Sequence, residues 1–329
     1  MSRNTALASR PRLLIVHPYV AHLYGHMAED FDIIRYWEAD DGPAFLQREG
    51  KGIRALLSLG IEQIDDPFLA QLPDLELIAV VGAGYDGIDL SATYQRGILV
   101  TNAGDLHAAD NADYAVGLMI AARRQIVAAD GWVRSNRWFN EGRMPLSRSL
   151  RSCRAGIVGL GNIGGAVASR LPAFGIPVAW WGPRPRKTPY RYFDTLLALA
   201  EWSDTLFVSV RAHDDTRALI DAGVIHALGP EGLLINISRG SVVDQAALID
   251  ALRSGKLGQA ALDVFEPEPA EADQWKHVPN ALLSPHMAGA TEDGRNALGM
   301  AAIENIRRLY RGERLVNIIP TDHIALGGA

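Results

Sequence analysis

The sequence predicts an α/β protein built on parallel sheets wound with helices. Three observations carry that expectation. Short apolar runs alternate with longer amphipathic stretches along nearly the whole chain. No repeat array, charge block or low-complexity tract interrupts the pattern. At 329 residues the chain exceeds one ordinary core, so two domains are expected.

In order, the first series of strands is expected at Arg12–Val16, Asp32–Trp37, Ile53–Leu59, Leu75–Gly82 and Gly97–Ala103. Helices fall between them. In DDPFLAQL, Asp66 is placed to cap and Pro67 suits the first helical position. The longest helical pattern runs over Asn111–Ser135. A second series begins at Ala155, with strands in AGIVGLG, PVAWWG, TLFVSV, GLLINIS, QAALDVF and ALLSPH. The late amphipathic stretch Glu292–Glu313 is suited to return the chain to the first domain. EPEPAEAD, Glu266–Asp273, reads as a proline-stiffened acidic loop.

Composition narrows the class of function. The chain is 48% hydrophobic and 21% charged, a globular balance. No apolar run approaches the ~20 residues that span a bilayer. MSRNTALASRPR reads as a loose polar lead-in without the apolar middle of a signal peptide. A net charge of −6 disfavours a nucleic-acid partner. The single cysteine, Cys153, excludes an internal disulfide and fits a reducing cytoplasm. H-E-x-x-H, C-x-x-C and G-x-S-x-G spacings are absent, so no metal site is expected. The totals favour a cytoplasmic enzyme or sensor with neither a membrane nor a nucleic-acid partner.

GIVGLGNIGGAVASRL, Gly156–Leu171, supplies the first chemistry. Gly159, Gly161 and Gly164 satisfy G-x-G-x-x-G between an apolar strand and a small-residue helix, the context this dinucleotide-binding motif requires. The glycines let the backbone approach a pyrophosphate, which the helix N-terminus then favours. An NAD site usually carries an acid at the end of the second strand for the ribose hydroxyls. Here Gly182 takes that place, and Asp194, the next acid, is expected to cap a helix. The loop continues through Pro183 with Arg184, Arg186 and Lys187. A guanidinium fork binds a 2′-phosphate, and a missing carboxylate removes its repulsion, so NADP(H) is expected with NAD(H) used less well. Arg184, nearer the strand end, is favoured over Arg186.

Three further residues stand at strand ends. Arg239 follows the apolar run of LLINISRGSVVD and is able to hold a carboxylate bidentately. Glu268 and Glu266 share the loop after AALDVF and are equal choices on chemistry alone. His286 follows ALLSP and is one of nine histidines. Singly, each reads as an ordinary structural residue.

Jointly they do not. GIVGLGNIG, LLINISRGSVVDQAALIDAL, AALDVFEPEP and LLSPHMAGAT, with VVGAGYDGIDL and GILVTNAGDLHAADNADYAVGLMIAARR upstream, resemble the D-isomer-specific 2-hydroxyacid dehydrogenases along nearly all of the chain. The resemblance implies a Rossmann cofactor domain over residues 102–290. It would be inserted in a flavodoxin-like, lid-like substrate domain of residues 1–101 and 291–329. It selects Glu268 over Glu266 as the acid paired with His286, the acid–base residue. It gives Arg239 the substrate's carboxylate and carbonyl, and the backbone amides of Ala83 and Gly84 the carboxylate.

Asp263 would bind the nicotinamide carboxamide. Leu160, Gly161, Asn162, Ile163 and Gly164 would surround the cofactor, with Gly182, Pro183, Arg184 and Arg186 at its ribose end. Val210, Thr216, Ile237, Ser238, Arg239 and His286 complete the implied cofactor contacts. Two departures stand out: Arg211 replaces a usual proline, and GPRPRK replaces the acidic strand end, as in NADPH-using glyoxylate, hydroxypyruvate and hydroxyphenylpyruvate reductases.

The implied reaction reduces a small 2-oxo acid (glyoxylate, hydroxypyruvate or an aryl or alkyl pyruvate) to the D-2-hydroxy acid. His286 acts as general acid, Glu268 stabilises its imidazolium, and Arg239 polarises the carbonyl. A homodimer is expected through Ile126–Leu150, which carries Trp132, Trp138 and Phe139 between basic stretches. The rival reading is a dinucleotide-sensing corepressor of the same fold, since Arg239, Glu268 and His286 survive in such relatives; the compact layout favours metabolism.

Overall fold

The computed structural model describes residues 10–320, so most of the expected polar lead-in, residues 1–9, lies outside the described residues. The chain divides into two compact units, one of residues up to 106 with those from 292 onward, the other of residues 107–291. Both are parallel-sheet α/β domains.

The first unit holds strands β1 (Arg12–Ile15), β2 (Asp32–Arg35), β3 (Ile53–Ser58), β4 (Leu77–Val80) and β5 (Leu99–Thr101). All pair in parallel in the order β2-β1-β3-β4-β5, the flavodoxin-like arrangement. The strands are shorter than the apolar runs that announce them. Val16 and Val81 lie just past the strand ends, yet both stay buried and still donate to the Leu57 and Ser58 carbonyls of β3. Side chains alternate across the sheet with the strand period of two. Leu13, Ile15, Leu57, Leu77 and Ala79 pack with Leu298, Ala302, Ile303 and Ile306 on one face. Leu14, Leu56, Ile78 and Val80 pack with Leu46, Leu69 and Ile98 on the other. The late helix, Glu292–Arg311, therefore does return to this unit.

The second unit holds β6 (Ala155–Val158), β7 (Val178–Trp181), β8 (Arg191–Tyr192), β9 (Thr205–Val208), β10 (Leu233–Asn236), β11 (Gln259–Leu262) and β12 (Ala281–Leu283). The order is β12-β11-β10-β9-β6-β7-β8, again parallel, with the Rossmann reversal between β6 and β9. Strand β8 has no counterpart among the expected strands, because two residues display no period. Its Tyr192 ring lies 4.9 Å from the buried Trp180.

The long helical pattern is broken once within its length, and the chain turns again just past its end. A helix runs over Ala108–Arg123, Gln125 turns left-handed at φ 53°, and a second helix spans Ile126–Arg134. Asn136 turns again at φ 62° before a short helix, Arg137–Glu141. The first helix has a buried face; the two that follow bury no residue, so nothing holds them in line with it. Arg123 pins the end of the first helix, donating to the Glu231 carbonyl at 2.7 Å, to Thr205 Oγ1 at 3.1 Å and to the Asp204 carbonyl.

Two expected caps shift by one residue. Asp65, not Asp66, accepts from the Phe68 N–H at 3.0 Å, so Pro67 takes the second helical position. Thr195, not Asp194, caps Leu196–Trp202 through the Ala198 N–H at 3.2 Å. In both helices the capping oxygen stands three residues before the N–H it accepts, and that spacing selects the residue.

Candidate active site

The glycine-rich turn joins β6 to the helix Asn162–Arg170 at the point where the strand order reverses. A Cβ on Gly164 would stand 2.0 Å from the Gly159 carbonyl, so only glycine lets this helix approach the strand so closely. Gly161, which opens the helix, has open space around its Cβ position and provides no side-chain cap. No side chain caps the helix, so its first N–H groups are left for an anion, as a pyrophosphate would require. Leu160 is buried, while Asn162 is exposed and Ile163 half-buried beside it.

At the end of β7, Gly182 is buried and its carbonyl accepts from the Tyr192 hydroxyl at 3.1 Å. Pro183, Arg184 and Arg186 are exposed. The Arg186 guanidinium sits 5.8 Å from the Trp180 ring centre, whereas Arg184 has no ion-pair partner among the described residues. Beyond β9 and β10, the Ser238 hydroxyl donates to the Val210 carbonyl and ties the two loops together. Ile237 is buried beside it. Thr216 spends its hydroxyl bracing its own loop, accepting from the His213 N–H and donating to the Arg211 carbonyl, both at 2.9 Å.

Arg239, Glu268 and His286 stand on the loops after β10, β11 and β12, the carboxyl ends of three adjacent strands. His286 Nδ1 lies 2.8 Å from Glu268 Oε2. A carboxylate only accepts, so Nδ1 carries the proton and Nε2 is left to act on a ligand. Glu268 Oε1 takes the Phe265 N–H at 2.9 Å, which fixes the carboxylate from its other side. Burial works to raise the Glu268 carboxyl. Hydrogen bonds from His286 and the Phe265 N–H, with the charges of His286 and Arg239, outweigh it and hold the group below the usual carboxylate range. Glu266 instead pairs with Arg217 at 3.0 Å. Arg239 donates to the Ser238 carbonyl at 2.8 Å. The next residue, Gly240, lets the Arg239 loop meet the Glu268 loop, since a Cβ there would stand 1.9 Å from the Phe265 carbonyl carbon.

Asp263 is fully buried, and its carboxylate holds the histidine turn. It accepts from the Ser284 hydroxyl at 2.6 Å and from the Met287 and Ala288 N–H groups at 2.8 Å each. Its backbone carbonyl accepts from the His286 N–H at 2.9 Å. The turn needs this bracing because His286 adopts φ 54°, a region non-glycine residues avoid.

In the other unit, Ala83 and Gly84 follow β4, and Asn102 Nδ2 donates to the Ala83 carbonyl at 3.0 Å. One group has no signal in the sequence. His107 precedes the helix Ala108–Arg123, and a methyl on Gly289 would come within 3.2 Å of its Cδ2. No local motif distinguishes it from the other histidines.

The chain is similar to known proteins along most of its length. Residues 116–288 match the family described as D-isomer specific 2-hydroxyacid dehydrogenase, NAD binding domain. The chain belongs to that family. It is 35% identical to a glyoxylate/hydroxypyruvate reductase A of Arabidopsis thaliana, over 92% of this chain and 97% of that protein. The solved 2-hydroxyacid dehydrogenase of Ketogulonicigenium vulgare Y25 superimposes with a TM-score of 0.89 at 40% identity, covering 95% of this chain and 99% of the other. An NADPH-dependent glyoxylate/hydroxypyruvate reductase of Sinorhizobium meliloti, solved with NADP and malonate, gives 0.87 at 37% identity, covering 94% and 97%. As a 2-hydroxyacid dehydrogenase, the chain is an oxidoreductase whose Rossmann unit takes a nicotinamide dinucleotide. No helix among the described residues is long and apolar enough to cross a membrane.

Proposed function

We propose that this enzyme reduces a small 2-oxo acid, such as glyoxylate, hydroxypyruvate or an aryl pyruvate, to the D-2-hydroxy acid with NADPH in preference to NADH. The observation that carries the reading is the 2.8 Å pairing of His286 with Glu268, on loops adjoining that of Arg239. The bound nicotinamide supplies the hydride. Arg239 holds the carboxylate and draws electron density from the carbonyl, where negative charge develops. A protonated His286 delivers its Nε2 proton to the carbonyl oxygen, and the Glu268 carboxylate orients and stabilises the imidazolium. In the reverse direction Nε2 takes the hydroxyl proton.

Gly161, Asn162 and Ile163 would hold the pyrophosphate at the helix N-terminus, and Leu160 and Gly164 would shape that turn. The ribose end would meet Gly182, Pro183, Arg184 and Arg186; Val210, Thr216, Ile237 and Ser238 would border the cleft. The amides of Ala83 and Gly84 are proposed as donors to the substrate carboxylate. The unit of residues up to 106 and from 292 onward is the proposed substrate domain and that of residues 107–291 the proposed cofactor domain, with boundaries a few residues beyond the expected 101/102 and 290/291. Asp263 keeps its proposed place beside the carboxamide, although three of its acceptor positions already serve the histidine turn. Cys153 is buried and unpaired, which suits the cytoplasm. The deciding experiment follows nicotinamide absorbance with glyoxylate, hydroxypyruvate and phenylpyruvate at millimolar concentration, with either cofactor. Turnover of none of them, with tight dinucleotide binding, would favour the sensing corepressor.

A further inference from the structure

His107 carries an inference beyond the catalytic pair and the cofactor cleft, and it rests on the reading of Arg239 as the substrate's anchor. Its Nδ1 is buried with no hydrogen-bond partner among the described residues. A sealed N–H with nothing to accept it is costly, so the ring proton belongs on Nε2. Charging the ring would place a proton on that sealed Nδ1 as well. Burial lowers the imidazole pKa; Asp110 works to raise it, and the Arg239 charge lowers it further, with a net fall. The ring is therefore neutral near neutral pH and presents one N–H donor.

Its surroundings point to what that donor meets. The helix Ala108–Arg123 starts at the next residue, and Asn111 Nδ2 donates to the His107 carbonyl at 2.8 Å, fixing the backbone. The Cδ2 edge packs against Gly289, three residues beyond His286. The Arg239 charge reaches the ring. A neutral donor that feels a guanidinium's charge, on a backbone fixed next to the His286 turn, attracts an anionic oxygen and disfavours a cation.

We propose that His107 is a substrate-binding residue, donating from Nε2 to the anionic 2-oxo acid that Arg239 holds. It would thereby supplement Arg239 without adding a second positive charge.

The test uses two substitutions and a readout independent of turnover. His107→Phe keeps a flat ring without a donor, and His107→Gln returns an N–H near the place of Nε2. The measurements are KM and kcat for glyoxylate, the Kd of oxalate on the NADP+ complex, and the Kd of NADP+ itself. His107→Phe is expected to raise the glyoxylate KM and the oxalate Kd about tenfold, the worth of one hydrogen bond to a charged acceptor. The NADP+ Kd and kcat should stay within about twofold, and His107→Gln should recover most of the loss. Oxalate affinity unchanged in His107→Phe would overturn the proposal, whether or not glyoxylate proves to be a substrate. So would a loss shared equally by NADP+, or one that His107→Gln leaves uncorrected. Should His107→Phe fail to fold, His107→Gln against wild type decides: oxalate affinity within about threefold supports the donor, and a tenfold loss overturns it. Absence of glyoxylate turnover in wild type would count against the proposed substrate, and oxalate affinity would then decide the role of His107 by itself.

Discussion

His286 Nδ1 and Glu268 Oε2 are 2.8 Å apart, and the histidine holds that position from a left-handed backbone at φ 54°. The pair is partly open, with side-chain exposures of 49% and 34%, so a ligand is able to reach the imidazole without disturbing the carboxylate.

His286→Gln should lower turnover by about 10²-fold or more, the range for a lost general acid, with dinucleotide affinity retained. Arg239→Lys should be comparably severe, because an ammonium does not reproduce a two-pronged fork. Steady-state kinetics alongside cofactor titration checks both; near-normal turnover in either purified variant would remove that residue from the mechanism.

The lowered Glu268 pKa has a consequence for stability. A carboxyl whose folded pKa lies below its unfolded value stabilises the protein above the unfolded value, about 4.3, and loses that contribution as pH falls through the folded one. Wild type should therefore exceed Glu268→Gln in thermal stability by a constant margin at neutral pH, and the margin should shrink on acidification below about pH 4.3. Melting curves of both proteins across that range provide the check; a margin that grows on acidification would contradict the sign.

Two glycines of one turn should fail differently. Gly161→Ala has open space for its methyl and a φ of −79°, so it should fold normally and bind the dinucleotide more weakly. Gly164→Ala would drive its Cβ to 2.0 Å from the Gly159 carbonyl and should lower the melting temperature. Calorimetry and fluorescence titration separate the two effects, and a destabilised Gly161→Ala with normal cofactor affinity would refute the cradle.

Arg184 and Arg186 are expected to make NADPH well over tenfold more efficient than NADH. One charge-assisted contact is worth ~1.5–3 kcal/mol, and ~1.4 kcal/mol is tenfold. Arg184→Ala should cost more than Arg186→Ala, whose guanidinium lies near Trp180. Comparing both cofactors across the three proteins tests this, and a wild type that prefers NADH would show the electrostatic reading to be wrong.

The segment after Arg123 should mediate a homodimer. Trp138, Phe139 and Leu146 are 59%, 86% and 99% exposed, and Ile126, Val127 and Val133 are exposed as well, an apolar face that a lone chain leaves in water. Trp132 stiffens it, donating to the Gly142 carbonyl at 2.9 Å with the Arg137 guanidinium 3.6 Å from its ring centre. Light scattering at micromolar concentration should return a dimeric mass, and a monomeric mass would exclude it.

Much of this protein is legible in its sequence. Strands such as Leu77–Val80 and Ala155–Val158 are apolar throughout, and the glycine turn sits between a strand and a helix whatever the remainder does; both are local properties of the chain. The motifs that carry Arg239, Glu268 and His286 are legible too, in a fixed order along the chain. What the sequence by itself leaves open depends on distance in space. Glu266 and Glu268 are chemically alike and two residues apart, and only the folded loop turns one to Arg217 and the other to His286. Asp263 belongs to a strand-end motif, yet its fully buried carboxylate closes on N–H groups more than twenty positions away. His107 lies far along the chain from Arg239 and Gly289, and only the folded unit sets its ring against Gly289 and within the field of the Arg239 charge. Local periodicity reports which face of an element is buried; long-range hydrogen bonds and charge pairs arise when separate strands end side by side, and tertiary structure alone decides those.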